Sequence, residues 1–146
     1  MENPNIIYER SAGIIIFRQL KEGREYLLLH YPGGHFDYAK GHIEGDETEH
    51  EAAYRELKEE TALEKIVWIE GFREKINYIY MHGPQKMSKD VTFFLARTTQ
   101  KKITVSFEHK GYLWLPYKEA YEKTTFKTAK DILEKAEKFL KNSQSQ

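Results

Sequence analysis

Five glutamates, Glu49, Glu51, Glu56, Glu59 and Glu60, fall in one helix-compatible segment between Thr48 and Thr61. At about 100° per residue, Glu56 and Glu60 lie only about 40° apart around a helix, with Glu59 about 60° from Glu56 on its other side. Ala53 and Leu57, the natural core-facing pair, sit beside these carboxylates rather than opposite them. A purely solvated acidic face does not explain that placement. Like charges this close are destabilising unless something neutralises them. Arg55 and Lys58 are the nearest cations in sequence, and both are expected to project away from the Glu56/Glu60 edge. A hard divalent cation resolves the conflict, because an all-oxygen donor set suits Mg²⁺ or Mn²⁺. A metal so held polarises a phosphoryl oxygen and activates water, which points to hydrolysis of a phosphoanhydride. Zinc fits less well. His50-Glu51-Ala52-Ala53-Tyr54 opens like a zinc-protease motif, but Tyr54 stands where the second histidine belongs, so His50 reads as a surface histidine.

The elements that must position this helix are legible on either side of it. Asp46 or Thr48 can cap it, with Glu49 or Glu51 three residues on, and it should run to about Ala62. Ahead of it, Ala12–Phe17 is a short, continuous, β-branched run typical of a buried strand, and Glu25–Tyr31 pairs with it as a hairpin. Pro32–Lys40 reads as an irregular loop, leading into Lys40-Gly41-His42, where a glycine lets backbone approach a metal or phosphate. Behind the helix, Ile66–Phe72, Glu74–Tyr80 and Val91–Thr98 read as strands, with His82–Lys89 as the turn between the last two. Lys102–Ser106 and Gly111–Leu115 are shorter strand candidates. A short helix Tyr117–Glu122, an amphipathic helix Lys127–Lys141 and a frayed tail Asn142–Gln146 follow. Strands and helices mix without regular alternation, which favours one mixed sheet covered by helices in a single domain, residues 1–146.

Composition narrows the function classes. The 146 residues carry 23 basic and 23 acidic side chains, so bulk charge gives no strong nucleic-acid signal. There are no cysteines, which removes disulfides, thiolate metal sites and cysteine nucleophiles. Met1–Ser11 is polar and the longest apolar runs are too short for a bilayer, so no membrane association and a cytoplasmic location are expected.

Taken together, Gly41, Glu47, Arg55, Glu56, Leu57, Glu59 and Glu60 make a Gly-x5-Glu-x7-Arg-Glu-Leu-x-Glu-Glu pattern that resembles the Nudix box. Ala62 departs from it by standing where the family has glycine, which suggests a slightly different backbone at that helix end. The resemblance implies a Nudix-type α/β/α sandwich with a mixed sheet. It implies that the Lys40 carbonyl, Glu56, Glu59 and Glu60 carry metal, that Arg55 orients the cluster, and that Glu56 or Glu59, with Glu108 a third candidate, serves as base.

Similarity to the asymmetrical diadenosine tetraphosphate hydrolases of this family extends through Ala12–Phe17, His35–His42, Glu70–Tyr78, Phe93–Ala96, Glu108–Trp114 and the surroundings of Phe126. It implies that Tyr78 and Phe126 sandwich an adenine and that Lys40, His35 and Lys89 contact phosphates. His42 joins them as a candidate substrate contact, and Glu108 would add a metal ligand. Phe36-Asp37-Tyr38-Ala39 and Gly45-Asp46 depart from those enzymes. The plainer readings are a core or surface aromatic for Tyr78, a hydrophobic staple for Phe126, loop histidines for His35 and His42, and surface charge for Glu108. The implied function is Mg²⁺-dependent hydrolysis of a dinucleoside polyphosphate, diadenosine tetraphosphate to ATP and AMP. The alternatives are another Nudix specificity (RNA 5′-end pyrophosphate removal or ADP-ribose cleavage) or a non-catalytic nucleotide sensor.

Overall fold

The computed structural model describes residues 4–144. Its elements run β1 (Ile6–Leu20), β2 (Gly23–His30), β3 (Phe36–Asp37), β4 (Ala39–His42), α1 (Glu49–Thr61), β5 (Val67–Trp68), β6 (Glu74–His82), β7 (Gln85–Arg97), β8 (Gly111–Pro116), α2 (Tyr117–Lys123) and α3 (Lys127–Gln144). The eight strands form one mixed sheet, with β3-β2-β1-β7-β5 as its main path. β1 pairs in parallel with β7 and antiparallel with β2 and β4, while β6 pairs with β7 and β8 with β2.

The continuous apolar run of β1 is explained by burial on both faces. Ala12, Ile14 and Ile16 pack with Leu27, Leu29, Phe94 and the Ala53/Leu57 stripe of α1. Ile15 and Phe17 face the other way, onto Phe93, Leu95 and the Ile132, Leu133, Ala136 and Leu140 stripe of α3. Two cores separated by one sheet give the α/β/α sandwich. Gly13 sets how closely β4 can approach. A Cβ there would lie 2.6 Å from the Ala39 carbonyl oxygen and 2.8 Å from the Phe93 ring.

Several local expectations are revised. The Pro32–Lys40 loop contains β3 and the start of β4, because Leu29 and His30 supply ladder partners for Asp37 and Phe36. Ile66–Phe72 shortens to a two-residue strand: Val67 and Trp68 pair with β7, and beyond them the Ile69 N–H donates to the Leu95 carbonyl at 2.9 Å. Lys102–Ser106 forms no strand. The backbone there instead hydrogen-bonds to the end of α1, with Thr104 N–H on Thr61 and Ser106 N–H on Glu60. The turn expected over His82–Lys89 is only Gly83-Pro84, as His82 already pairs with Gln85, so Lys89 is a strand residue opposite Tyr78. The C-terminal helix continues through residues 142–144, where a frayed tail was expected, and residues 145–146 lie outside the described segment.

Thr48 caps α1 and Glu51 completes the capping box, each side chain bonded to the other's backbone N–H. Ala62 ends the helix at φ 61°, its N–H donating to the Lys58 carbonyl at 2.9 Å. The chain thus takes the left-handed cap that a glycine favours instead of a different backbone, at a cost of roughly 1 kcal/mol for the added Cβ. No helix among the described residues is long and apolar enough to cross a membrane.

Candidate active site

β4 and α1 together build the acidic half of the site. Ala12 pairs with Gly41 and Gly13 with Lys40, which places Gly41 beneath the carboxylate of Glu56. A Cβ on Gly41 would fall 2.1–2.4 Å from that carboxylate, so only glycine leaves room for it. The Lys40 N–H donates to Glu60 Oε2 at 3.0 Å. In an extended strand one residue's N–H and C=O point to the same side, so the Lys40 carbonyl also faces the carboxylate helix. Lys40, Gly41, Glu56 and Glu60 therefore meet along one strand edge.

Arg55 does not project away from this edge. Its guanidinium binds Glu47 through two bonds of 2.6 and 3.0 Å, donates to Glu56 Oε1 at 2.9 Å and reaches Glu59 at 3.3 Å. It also donates to the His42 carbonyl at 2.8 Å, fastening the end of β4 to the helix. Glu47 in turn accepts from the Glu44 N–H at 2.9 Å, so the box glutamate without an assigned role is the anchor of Arg55. Burial raises the pKa of Glu56, against the pull of Arg55.

Glu60 has no such cationic partner. It is buried (7 % exposed), and burial first, then the neighbouring Glu56 charge, push its pKa up to about 8. Its Oε1 lies 3.0 Å from Nε2 of His109, a buried side chain whose pKa burial lowers, so the imidazole is neutral. His109 Nδ1 is buried without a hydrogen-bond partner among the described residues. Sequence reasoning missed His109, because a histidine 49 positions from Glu60 gives no local signal. Glu108, beside it, is exposed and close enough to add to the upward shift of Glu60.

The donor chemistry fits a hard divalent cation: carboxylate and carbonyl oxygens converge on one edge, and a cation there would offset the burial and the Glu56 repulsion that together raise Glu60. Among the described residues, however, no three Asp, Glu or His side chains already form a cage. Arg55 holds Glu56 and Glu59, while the Lys40 N–H and His109 hold Glu60.

The second half of the site is a cleft of about 550 Å³ on the α3 side of the sheet. His35, Lys40, Tyr78, Lys89 and Phe126 all line it, with Asp37, Ile76, Tyr80, Phe93, Thr128 and Ala129. These five residues, distant in sequence, thus line one cleft. Tyr78 is half-buried against the α3-side core. Phe126 is 46 % exposed and its ring lies 5.2 Å from that of His35, so it faces the cleft. His35 stacks on Tyr31 at 4.7 Å, and Tyr31 meets His109 edge-on at 4.5 Å. This ladder of rings joins the cleft to the Glu60 node, and Tyr31 is a second member the sequence did not disclose.

The two cleft lysines differ. Lys40 Nζ is 2.8 Å from the buried Asp37; burial, the largest single influence, would lower its pKa, but the charge and hydrogen bond of Asp37 together with Tyr78 and the Glu60 charge raise it overall, so it stays protonated. Lys89 forms no ion pair among the described residues, its Nζ 6.0 Å from the Tyr78 ring centre, leaving its charge available to an anion. His42 stands apart from the cleft wall. It is exposed, on the same face of β4 as Lys40, and its Nε2 is 3.4 Å from Glu9. His50 is exposed as expected, although its ring stacks on Phe94 at 3.8 Å.

Comparison with known proteins agrees with this architecture. A family model described as NUDIX domain matches residues 7–136. An asymmetrical bis(5'-nucleosyl)-tetraphosphatase of Mus musculus is 35 % identical over 143 residues, covering 90 % of this chain and 95 % of its own. The enzyme of that name from Caenorhabditis elegans is 31 % identical over 136 residues, covering 90 % of this chain and 96 % of its own. Among solved structures, a C. elegans Ap4A hydrolase binary complex superposes with TM-score 0.82 at 30 % identity, over 92 % of this chain and 98 % of that one. An E. coli dihydroneopterin triphosphate pyrophosphohydrolase, 20 % identical with TM-score 0.68 over 88 % of this chain and 96 % of its own, shares the fold. With the box residues on one edge and a family match across most of its length, the chain belongs to the Nudix hydrolase family.

Proposed function

We propose that the protein is a Mg²⁺-dependent hydrolase of dinucleoside polyphosphates that cuts diadenosine tetraphosphate asymmetrically into ATP and AMP. The observation that carries this reading is the double role of Lys40. Its side chain lines the aromatic cleft, while its backbone N–H holds Glu60 at the acidic edge. A nucleotide whose base enters the cleft thereby has its phosphates delivered to the carboxylates. The names of the relatives at 31–35 % identity support the choice of dinucleoside tetraphosphate.

In this reading the Lys40 carbonyl, Glu56 and Glu60 hold the divalent ion, with Glu59 and Glu108 at its margin; Mn²⁺ can substitute for Mg²⁺. When bound there, the ion supplies Lewis acidity to the phosphoryl oxygens. The remaining work belongs to the chain's own residues. Tyr78 and Phe126 stack the adenine, and Lys89, Lys40 and His35 meet the phosphates. Glu56, raised by burial and seated on Gly41, is better placed than the exposed Glu59 to take the proton of the attacking water. Arg55 acts through the carboxylates it holds. A clamp on one nucleoside at a fixed distance from the carboxylate edge has no reason to centre the middle bridge of a symmetric substrate. The cut therefore falls next to the held AMP, and ATP leaves. The protein is expected to work in the cytoplasm.

The test is competition among diadenosine tetraphosphate, 5′-triphosphorylated RNA and ADP-ribose with Mg²⁺, early products being separated by chromatography after reaction in ¹⁸O-water. ATP plus AMP with label in AMP is the expected result. ADP as the first product overturns the asymmetric cut, and preference for RNA or ADP-ribose overturns the substrate. Binding without turnover identifies a sensor instead.

A further inference from the structure

The Lys40 ammonium does not hang free in the cleft. Its Nζ lies 2.8 Å from Oδ2 of Asp37, and the two side chains are only 17 % and 5 % exposed. Asp37 is itself held on both sides. Its backbone pairs with Leu29 on β2, and its Oδ1 accepts from the Tyr38 N–H at 2.8 Å. Tyr38 is fixed in turn, its hydroxyl donating to the Ala129 carbonyl at 2.6 Å and its ring edge-on to Phe93. The chain of contacts that ends at the ammonium therefore starts in the α3-side core. It runs through Phe36–Ala39, the stretch in which this sequence departs from the enzymes it otherwise resembles.

A lysine head rides on a flexible four-carbon stem, and ordering it costs up to about 2 kcal/mol. A buried carboxylate that orders it beforehand removes that cost from the reacting complex. One of the three ammonium donors goes to Asp37, which leaves two for phosphate oxygens. The carboxylate has a second, opposing effect. Asp37 lines the cleft together with Lys40 and Lys89, so its charge repels the polyanion that those lysines attract. Lys89 has no ion-pair partner among the described residues. The two lysines are thus built for different tasks, Lys89 for attraction and Lys40 for orientation.

We propose that Asp37 is a positioning residue: acting through Lys40, it aligns the ammonium with the phosphates in the transition state while weakening the hold on the substrate in the ground state. This rests on the reading of the cleft and the carboxylate edge as one hydrolytic site. Asp37 thereby sets the balance between kcat and KM without touching the reacting atoms.

Asp37→Asn keeps the shape and an oxygen for the Tyr38 N–H but removes the charge. With diadenosine tetraphosphate it should lower kcat by about tenfold. A methylene-bridged, nonhydrolysable analogue of that substrate should meanwhile bind about threefold tighter or more in the absence of metal. A side chain that merely supports the fold would not gain affinity as rate falls. Lys40→Met and the double variant complete a cycle. In the Lys40→Met background, Asp37→Asn should change kcat by less than about twofold. It should also raise the melting temperature there, because Lys40→Met strands the buried Asp37 charge. Melting curves of every variant show whether the fold is kept. Parallel losses of rate and affinity, an unchanged kcat, or losses that add to those of Lys40→Met would overturn the role of Asp37 while leaving hydrolysis standing. If wild type cleaves 5′-triphosphorylated RNA or ADP-ribose instead, the substrate assignment fails, and the same cycle on that substrate decides the role of Asp37. Wild type that cleaves none of the three overturns both.

Discussion

The two ends of the carboxylate cluster are held in opposite ways. At the outer end, the single guanidinium of Arg55 gathers Glu47, Glu56 and Glu59 into a partly exposed network. At the inner end, Glu60 is buried against a neutral His109 and a backbone N–H, with the Glu56 charge beside it. The outer carboxylates share a guanidinium, while the inner one is desolvated beside the Glu56 charge, a cost that a cation would release. Strongly perturbed carboxylates of this kind cluster at functional sites.

Removing the inner charge should break this asymmetry most completely. Glu60→Gln is expected to lower kcat/KM by more than about a hundredfold, as loss of a metal ligand does. In EDTA the same variant should be as stable as wild type or more so. The sign follows from the pKa: Glu60 ionises in the folded state near 8 rather than at the ordinary 4.5, so metal-free wild type loses stability as pH rises between those values. The loss is at most about 1.4 kcal/mol per pH unit. Denaturation midpoints across that range in EDTA should slope downward for wild type and flatten for Glu60→Gln. A parallel slope in both would show that Glu60 is not the strained group.

Gly41→Ala tests the outer end without touching a charge. The new Cβ meets the Glu56 carboxylate, a mobile group that can swing aside, so the fold should persist while activity falls by roughly tenfold or more. Steady-state kinetics with a melting curve checks this; wild-type activity would mean that the seat of Glu56 is irrelevant.

The cleft supplies the contrast with both ends of the cluster. Tyr78→Ala should weaken nucleotide binding by about 1–3 kcal/mol and leave the pH slope of the metal-free protein unchanged. Titration calorimetry with a nonhydrolysable nucleotide measures it, and unchanged affinity would return Tyr78 to a packing role. Arg55→Ala should cost at most about 1 kcal/mol of stability, less at high salt, because its partners are exposed or half-exposed. A salt-independent loss of several kcal/mol would make the outer network a core feature. The smallest expected effect is a gain. Ala62→Gly should stabilise by up to about 1 kcal/mol by relieving the left-handed cap, at unchanged activity. Urea unfolding decides the sign.

What the sequence determined by itself was local. A helix places residues three and four apart on one face, so the spacing of Glu56, Glu59 and Glu60 beside Leu57 already disclosed a carboxylate edge. Local reading likewise offered Thr48/Glu51 as one of two possible caps, with Asp46/Glu49 the other, and gave the apolar stripe of α3 and a buried Ala12–Phe17 strand. Contacts between distant segments were beyond such reading. Nothing near Glu60 announces His109, and nothing near Lys40 announces that its backbone and side chain serve two halves of one site. The direction of Arg55 was misread for the same reason, since Glu47 and the His42 carbonyl, which draw it inward, come from the loop and strand preceding α1. The long turn expected over His82–Lys89 also disappeared, because register along β6 and β7 is fixed by pairing over nine positions rather than by turn residues alone. Periodicity reports which face a residue is on; only the packing of β4 against α1, and of β6 and β7 beside the segment carrying Phe126, decided which faces meet.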